Sequence, residues 1–88
     1  MTENEMQLDG NAAAGLLGEI FVVEMTTAIA TCASCGESYA IGAEPMYATA
    51  MGTVIRCAAC DDALIRIARG RTGYWLDMRG IGTLRIAV

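Results

Sequence analysis

Apolar residues recur at every fourth position near the start of the chain: Leu8, Ala12, Leu16 and Ile20, with Leu17 and Phe21 alongside. Recurrence at that spacing marks one face of an α-helix, so the pattern predicts a helix over residues 8–21, started by Asp9 or Asn11 as a cap. Three consecutive alanines favour it, whereas Gly15 and Gly18 each weaken it by up to about 1 kcal/mol relative to alanine. A helix this weak needs a surface to lean on. Either it covers the sheet of its own domain or it packs on another chain, where small residues permit close approach. The residues before it, 1–7, are mostly polar and read as a disordered tail.

Beyond residue 24 the period shortens and the chain reads as short strands, rich in β-branched and aromatic residues and punctuated by glycine. Strands are predicted over residues 25–31, 39–41, 46–50, 53–56, 63–69, 74–79 and 83–87. The segment Gly70-Arg-Thr-Gly73 reads as a hairpin connection between two of them. Tyr74 and Trp75 are neighbours on one strand, so they face opposite ways, one toward the core and one at least partly toward solvent. The last strand alternates Leu84, Ile86 and Val88 against Thr83, Arg85 and Ala87.

Onto this strand pattern the chain places its four cysteines as two pairs, Cys32-Ala-Ser-Cys35-Gly36 and Cys57-Ala-Ala-Cys60, with 21 residues between Cys35 and Cys57. Each pair is entered from a strand. A Cys-x-x-Cys turn delivers two thiolates from one tight bend, and two such turns close a tetrahedral structural zinc site at about 2.3 Å per sulfur. Gly36 permits the left-handed backbone that turns amide N–H groups toward the sulfurs. Four thiolates on one divalent cation leave a net charge of −2, which those amides and nearby Arg56 partly offset. The chain has no histidine, so the all-cysteine set Cys32, Cys35, Cys57 and Cys60 is the one closed set available.

Other uses of the cysteines are open to the same residues. Two disulfides would suit an exported protein, but the start Met1-Thr-Glu-Asn-Glu is acidic where an export signal is basic. A thioredoxin-type redox site needs one motif at a helix start in a βαβ unit, and neither copy has that context. A rubredoxin-like iron site for electron transfer is the nearer rival, since Cys32-x-x-Cys35-Gly36-x-x-Tyr39 resembles its first knuckle. The second knuckle lacks the proline and glycine and runs into Asp61-Asp62.

Charge is divided unevenly. Residues 1–44 hold seven acids and no base, whereas residues 45–88 hold six arginines against Asp61, Asp62 and Asp77. Arginines on the exposed faces of the C-terminal strands explain this, with a weak basic face as the sharper reading. Tyr39, Tyr47 and Trp75 beside those arginines could stack single-stranded nucleic acid. A formal charge of −4 and scattered bases argue against nucleic acid as the partner. Catalytic equipment is missing: there is no histidine for a nucleophile system, and a four-thiolate zinc has no open position for water. Asp77 with Arg79 reads as a solvated surface pair, and Asp61-Asp62 as a turn. No glycine-rich phosphate loop and no small-molecule site is evident, and the longest apolar run near the N-terminus is far too short to span a bilayer.

The segments Leu8-Asp-Gly-Asn-Ala-Ala-Ala-Gly-Leu-Leu17, Glu24-Met-Thr-Thr27, the two cysteine knuckles and Trp75-Leu-Asp-Met-Arg-Gly80 together resemble a family of small actinobacterial proteins of unknown function with zinc-ribbon-like cysteines. The resemblance covers residues 8–80 and implies a zinc site at the four cysteines in a cytoplasmic bacterial setting, with no activity attached. The expectation is therefore a small metal-stabilised, mainly β domain over residues 8–88, zinc-ribbon-like, with one N-terminal α-helix and two Cys-x-x-Cys knuckles. It would hold one structural Zn2+ per chain and act in the cytoplasm as a non-enzymatic interaction or adaptor module. Its partner would be a protein or a second copy, docked through the helix at residues 8–21. Apolar residues make up 55% of the chain, which is high for so small a domain and favours such a docking face.

Overall fold

The computed structural model describes residues 6–87, with side chains described from Gly10 onward. Its elements run β1 (Met6–Asp9), a 3₁₀ turn (Gly10–Ala13), α1 (Ala14–Ile20), β2 (Ile29–Cys32), β3 (Ser38–Ala40), a second 3₁₀ turn (Ile41–Ala43), β4 (Pro45–Thr49), β5 (Gly52–Arg56), β6 (Ala63–Arg69), β7 (Tyr74–Asp77) and β8 (Ile81–Arg85). Two antiparallel sheets result, one of five strands in the order β1-β4-β5-β6-β7 and one of three in the order β3-β2-β8. The mainly β architecture with one N-terminal helix is as the sequence pattern led us to expect.

The helix is shorter than its periodicity suggested. Leu8 and Asp9 belong to β1, opposite Met46 and Pro45, and α1 starts only at Ala14. Neither Asp9 nor Asn11 caps it; the capping position is Ala13, which makes no side-chain cap bond. The reason is a tertiary contact at Gly10. A Cβ added there would sit 1.8 Å from the Ile41 carbonyl oxygen, and the Gly10 N–H donates to the Glu44 carbonyl at 2.7 Å. The chain must press against the second 3₁₀ turn at that point, which ends the strand and delays the helix. Met6 and Gln7, assigned to a tail from the sequence, also pair in β1, opposite Ala48 and Tyr47; residues 1–5 of that tail lie outside the described residues.

The first predicted strand is likewise shortened, to Ile29–Cys32. Residues 25–28 turn instead, with the Ala28 N–H on the Met25 carbonyl at 3.1 Å and the Gly42 N–H on the Thr26 carbonyl at 2.8 Å. The strand over residues 63–69 is found as β6, and the other predicted strands differ from expectation by at most two residues at their ends.

Alternation along the five-stranded sheet divides its faces. Met46, Ile55, Ile65 and Ile67 point inward and join Leu17 of α1, Ala30 of β2, Met25, Ile41 and Leu64 in one core, each of these at most 5% exposed. Leu16, Ile20 and Phe21 pack partly against the same core. The helix thus covers its own domain, and its apolar face is largely spent there. Val22, just beyond it, is fully exposed. Among the described residues no helix is long and apolar enough to cross a membrane.

Candidate metal centre

Each sheet contributes one cysteine knuckle. The first lies between β2 and β3 in the three-stranded sheet, the second between β5 and β6 in the five-stranded sheet. Their backbones repeat one another. The Cys32 N–H donates to the Glu37 carbonyl at 2.9 Å and the Gly36 N–H to the Cys32 carbonyl at 3.0 Å. In the second knuckle the Cys57 N–H donates to the Asp62 carbonyl at 2.8 Å and the Asp61 N–H to the Cys57 carbonyl at 2.9 Å. Gly36 has φ 78° and Asp61 has φ 68°, so both turns close through a left-handed residue directly after the second cysteine. Aspartate is among the few residues besides glycine that visit this region routinely. The Asp61-Asp62 pair is therefore a turn, as read from the sequence.

The strands entering the two knuckles share a further feature. Register slips by one residue between Thr31 and Cys32, leaving Gly82 of β8 extra, and again between Ile55 and Arg56, leaving Leu64 of β6 extra. Bulges of this kind bend a strand and re-aim its side chains. Here they sit at the last residues before the thiols, and the second lets both Leu64 and Ile65 be buried.

The four sulfurs converge. All lie within 4.8 Å of one another, with Cys32 Sγ 3.7 Å from Cys60 Sγ and Cys35 Sγ 3.6 Å from Cys57 Sγ. Four sulfurs held tetrahedrally at about 2.3 Å from a common centre stand about 3.8 Å apart, whereas a disulfide brings two sulfurs to about 2.05 Å. The donor set therefore fits a metal ion, and the four cysteines are unpaired thiols. Cys32 and Cys57 are buried and belong to the core; Cys35 and Cys60 are exposed, so the centre sits at the rim of the domain.

Backbone dipoles prepare the cluster for ionisation, and the sulfurs themselves limit it. The Cys32 thiol, facing the amides of Cys35 and Ser34, is lowered to about 7. Cys60 is pushed up to about 12: the Asp62 amide lowers it, but lost solvation and the three neighbouring sulfurs outweigh that. Four thiolates cannot coexist at this separation without a cation among them, and a divalent ion removes that repulsion. The Ala59 N–H also lies 3.4 Å from Cys57 Sγ. Arg56 brings its charge to the second knuckle by a different route from the one expected: its Nη1 donates to the Asp61 carbonyl at 3.0 Å, and its guanidinium lies 5.7 Å from the Tyr47 ring centre.

Two supporting residues were not evident in the sequence. Glu44 counted there only as one acid among seven, yet it is 1% exposed, and its Oε1 accepts the Ala58 N–H inside the second knuckle at 3.3 Å. Gly80 links the two sheets: its carbonyl accepts the Ala33 N–H of the first knuckle at 2.9 Å, and a Cβ there would lie 1.9 Å from the Ala63 carbonyl at the foot of β6. Nothing local in the sequence signals either role. Of the other residues singled out, Asp77 and Arg79 form an exposed ion pair at 2.8 Å, and Arg79 holds the Asp77 carboxyl down to about 2. Tyr74 packs against the core while Trp75 is 76% exposed, which resolves their opposition. Tyr39 lies on β3 in the other sheet, so the three aromatics share no single surface.

Comparison with known proteins places the chain in a described group. It belongs to the family of unknown function DUF6510, whose model matches residues 2–88. It matches no curated protein and no solved structure.

Proposed function

We propose that the protein is a zinc-stabilised interaction module, in which one Zn2+ held by Cys32, Cys35, Cys57 and Cys60 fastens the two sheets together. The observation that carries this reading is the convergence of four thiols from two sheets within 4.8 Å. A closed shell of four thiolates leaves no position for water or substrate, which favours a structural role over a catalytic one. Zinc is favoured over iron because the second knuckle, Cys57-Ala-Ala-Cys60-Asp61, lacks the proline and glycine of an iron knuckle. A domain of 88 residues buries a limited core, and structural zinc contributes on the order of 10–16 kcal/mol in small zinc-binding peptides. The metal is thus the element that makes so small a fold a rigid platform, and binding to another protein is the function such a platform serves.

Chelation coupled to circular dichroism tests the structural role. Removing zinc from the purified chain unfolds it, and returning zinc restores the spectrum. A metal-free chain that keeps its melting temperature would contradict the reading, and a red metal-loaded protein would give the site to iron.

A further inference from the structure

The outer face of the five-stranded sheet carries an open groove of about 760 Å³. Register sets its floor. Tyr47 of β4, Val54 of β5, Arg66 of β6 and Asp77 of β7 stand in one row across four strands, and Trp75 lies one step along β7 on the same face. Arg56, beyond the bulge on β5, lines the same groove with its guanidinium 5.7 Å from the Tyr47 ring centre. We propose that this groove docks a short extended protein segment presenting one carboxylate flanked by large apolar or aromatic side chains. The proposal rests on the interaction-module reading above and gives it a partner chemistry.

Three observations select that occupant. Trp75 is 76% exposed and Met51, at the end of the groove, is 89% exposed, so a broad apolar ledge lies in solvent. A rigid, amphipathic indole in such a position is the kind of residue that dominates protein interfaces. Second, the two arginines are differently prepared. Arg56 is held over Tyr47 and on the Asp61 carbonyl, whereas Arg66 faces Asp77 across the strands without a hydrogen bond or ion pair among the described residues. Two arginines lining one groove, one of them with no hydrogen bond, supply donors for a carboxylate. Third, the acids of the groove limit how much negative charge it accepts. Asp61 and Asp77 line the groove along with the two arginines. A nucleic-acid strand would carry a run of phosphates past both, against a chain already at −4, while a segment with a single carboxylate brings one negative charge, which the two arginines can match.

Selection of random displayed peptides on the zinc-loaded full chain tests this, followed by anisotropy titration of the selected peptides after labelling. The selected sequences should share one Asp or Glu among aromatic or aliphatic residues. Binding should shift the emission of Trp75, the chain's single tryptophan. Trp75→Ala and Arg66→Glu should each weaken binding about tenfold or more, at unchanged zinc content and melting temperature. Peptides that bind both variants as tightly as the wild type would overturn the groove as the docking site and leave the interaction-module reading standing. Failure to select any peptide would overturn both. Tighter binding of oligothymidylate than of any peptide, lost in the same variants, would replace the protein segment with a nucleic acid.

Discussion

Glu44 connects the metal centre to the body of the domain, and its replacement gives a quantitative test of that connection. The carboxylate is buried, its Oε1 accepts the Ala58 N–H between Cys57 and Cys60, and the same residue's carbonyl accepts the Gly10 N–H. Glu44→Ala leaves the backbone bond in place and removes the other. A hydrogen bond to a charged group contributes about 1.5–3 kcal/mol, and the buried γ-methylene that alanine lacks contributes about 0.8 kcal/mol. Against this, the cost of burying a carboxylate disappears, and the exposed Ala58 amide regains water. The net loss is about 2 kcal/mol, which for a domain of this size lowers the melting temperature by roughly 10 °C. Glu44→Gln keeps the acceptor and the volume, so it should cost far less. The pair also differs in pH response. Burial raises the Glu44 pKa above the ordinary 4.5, so the folded state binds this proton more tightly than the unfolded state. That extra stability is complete below 4.5 and is lost as pH rises through the raised value. Glu44→Gln lacks it, so the wild type should lose ground to the variant as pH climbs from 4.5 toward neutrality. Thermal melts of the zinc-loaded proteins across that range give both quantities. Acid loss of zinc affects both proteins alike and cancels in the comparison. An alanine variant that melts with the wild type, or a glutamine variant as damaged as the alanine, would refute the reasoning.

Further outcomes follow from the backbone. Gly36→Ala meets no neighbouring atom, so its cost is purely that of a left-handed alanine, about 1–2 kcal/mol, and Asp61→Gly should be neutral or stabilising in chemical denaturation. Gly80→Ala forces a Cβ to within 1.9 Å of the Ala63 carbonyl, so it should destabilise by about 1–3 kcal/mol or more and weaken zinc affinity in a chelator competition. Gly15→Ala and Gly18→Ala lie in α1 with open space around them, and each should raise stability by about 0.5–1 kcal/mol in a denaturant melt.

The parts of this molecule visible in its sequence are those that local chemistry determines. A Cys-x-x-Cys turn with a left-handed residue after it is complete within five residues, and both knuckles were therefore legible, including the glycine at position 36. β6 was legible because Ala63-Leu-Ile-Arg-Ile-Ala-Arg69 is bounded by a turn on each side. The N-terminal segment was not, because two signals compete there. Leu8, Ala12, Leu16 and Ile20 have helical spacing, but the edge of β4 recruits residues 6–9 as a strand and the approach of Gly10 to Ile41 fixes where the helix can begin. Both are contacts more than 30 residues away in sequence. Glu44 and Gly80 were hidden for the same reason: each acts on a knuckle that lies far from it in sequence. The bulges at Leu64 and Gly82 leave no compositional trace either.

The proposed zinc centre draws four sulfurs from two sheets onto one ion. X-ray absorption at the zinc edge, on the purified chain after its metal content has been measured, is the decisive measurement. One zinc per chain is expected, with a first shell of four sulfurs at about 2.3 Å and no oxygen or nitrogen ligand. A shell with fewer than four sulfurs, a lighter ligand in their place, or less than stoichiometric zinc in a chain that is nonetheless folded would contradict it.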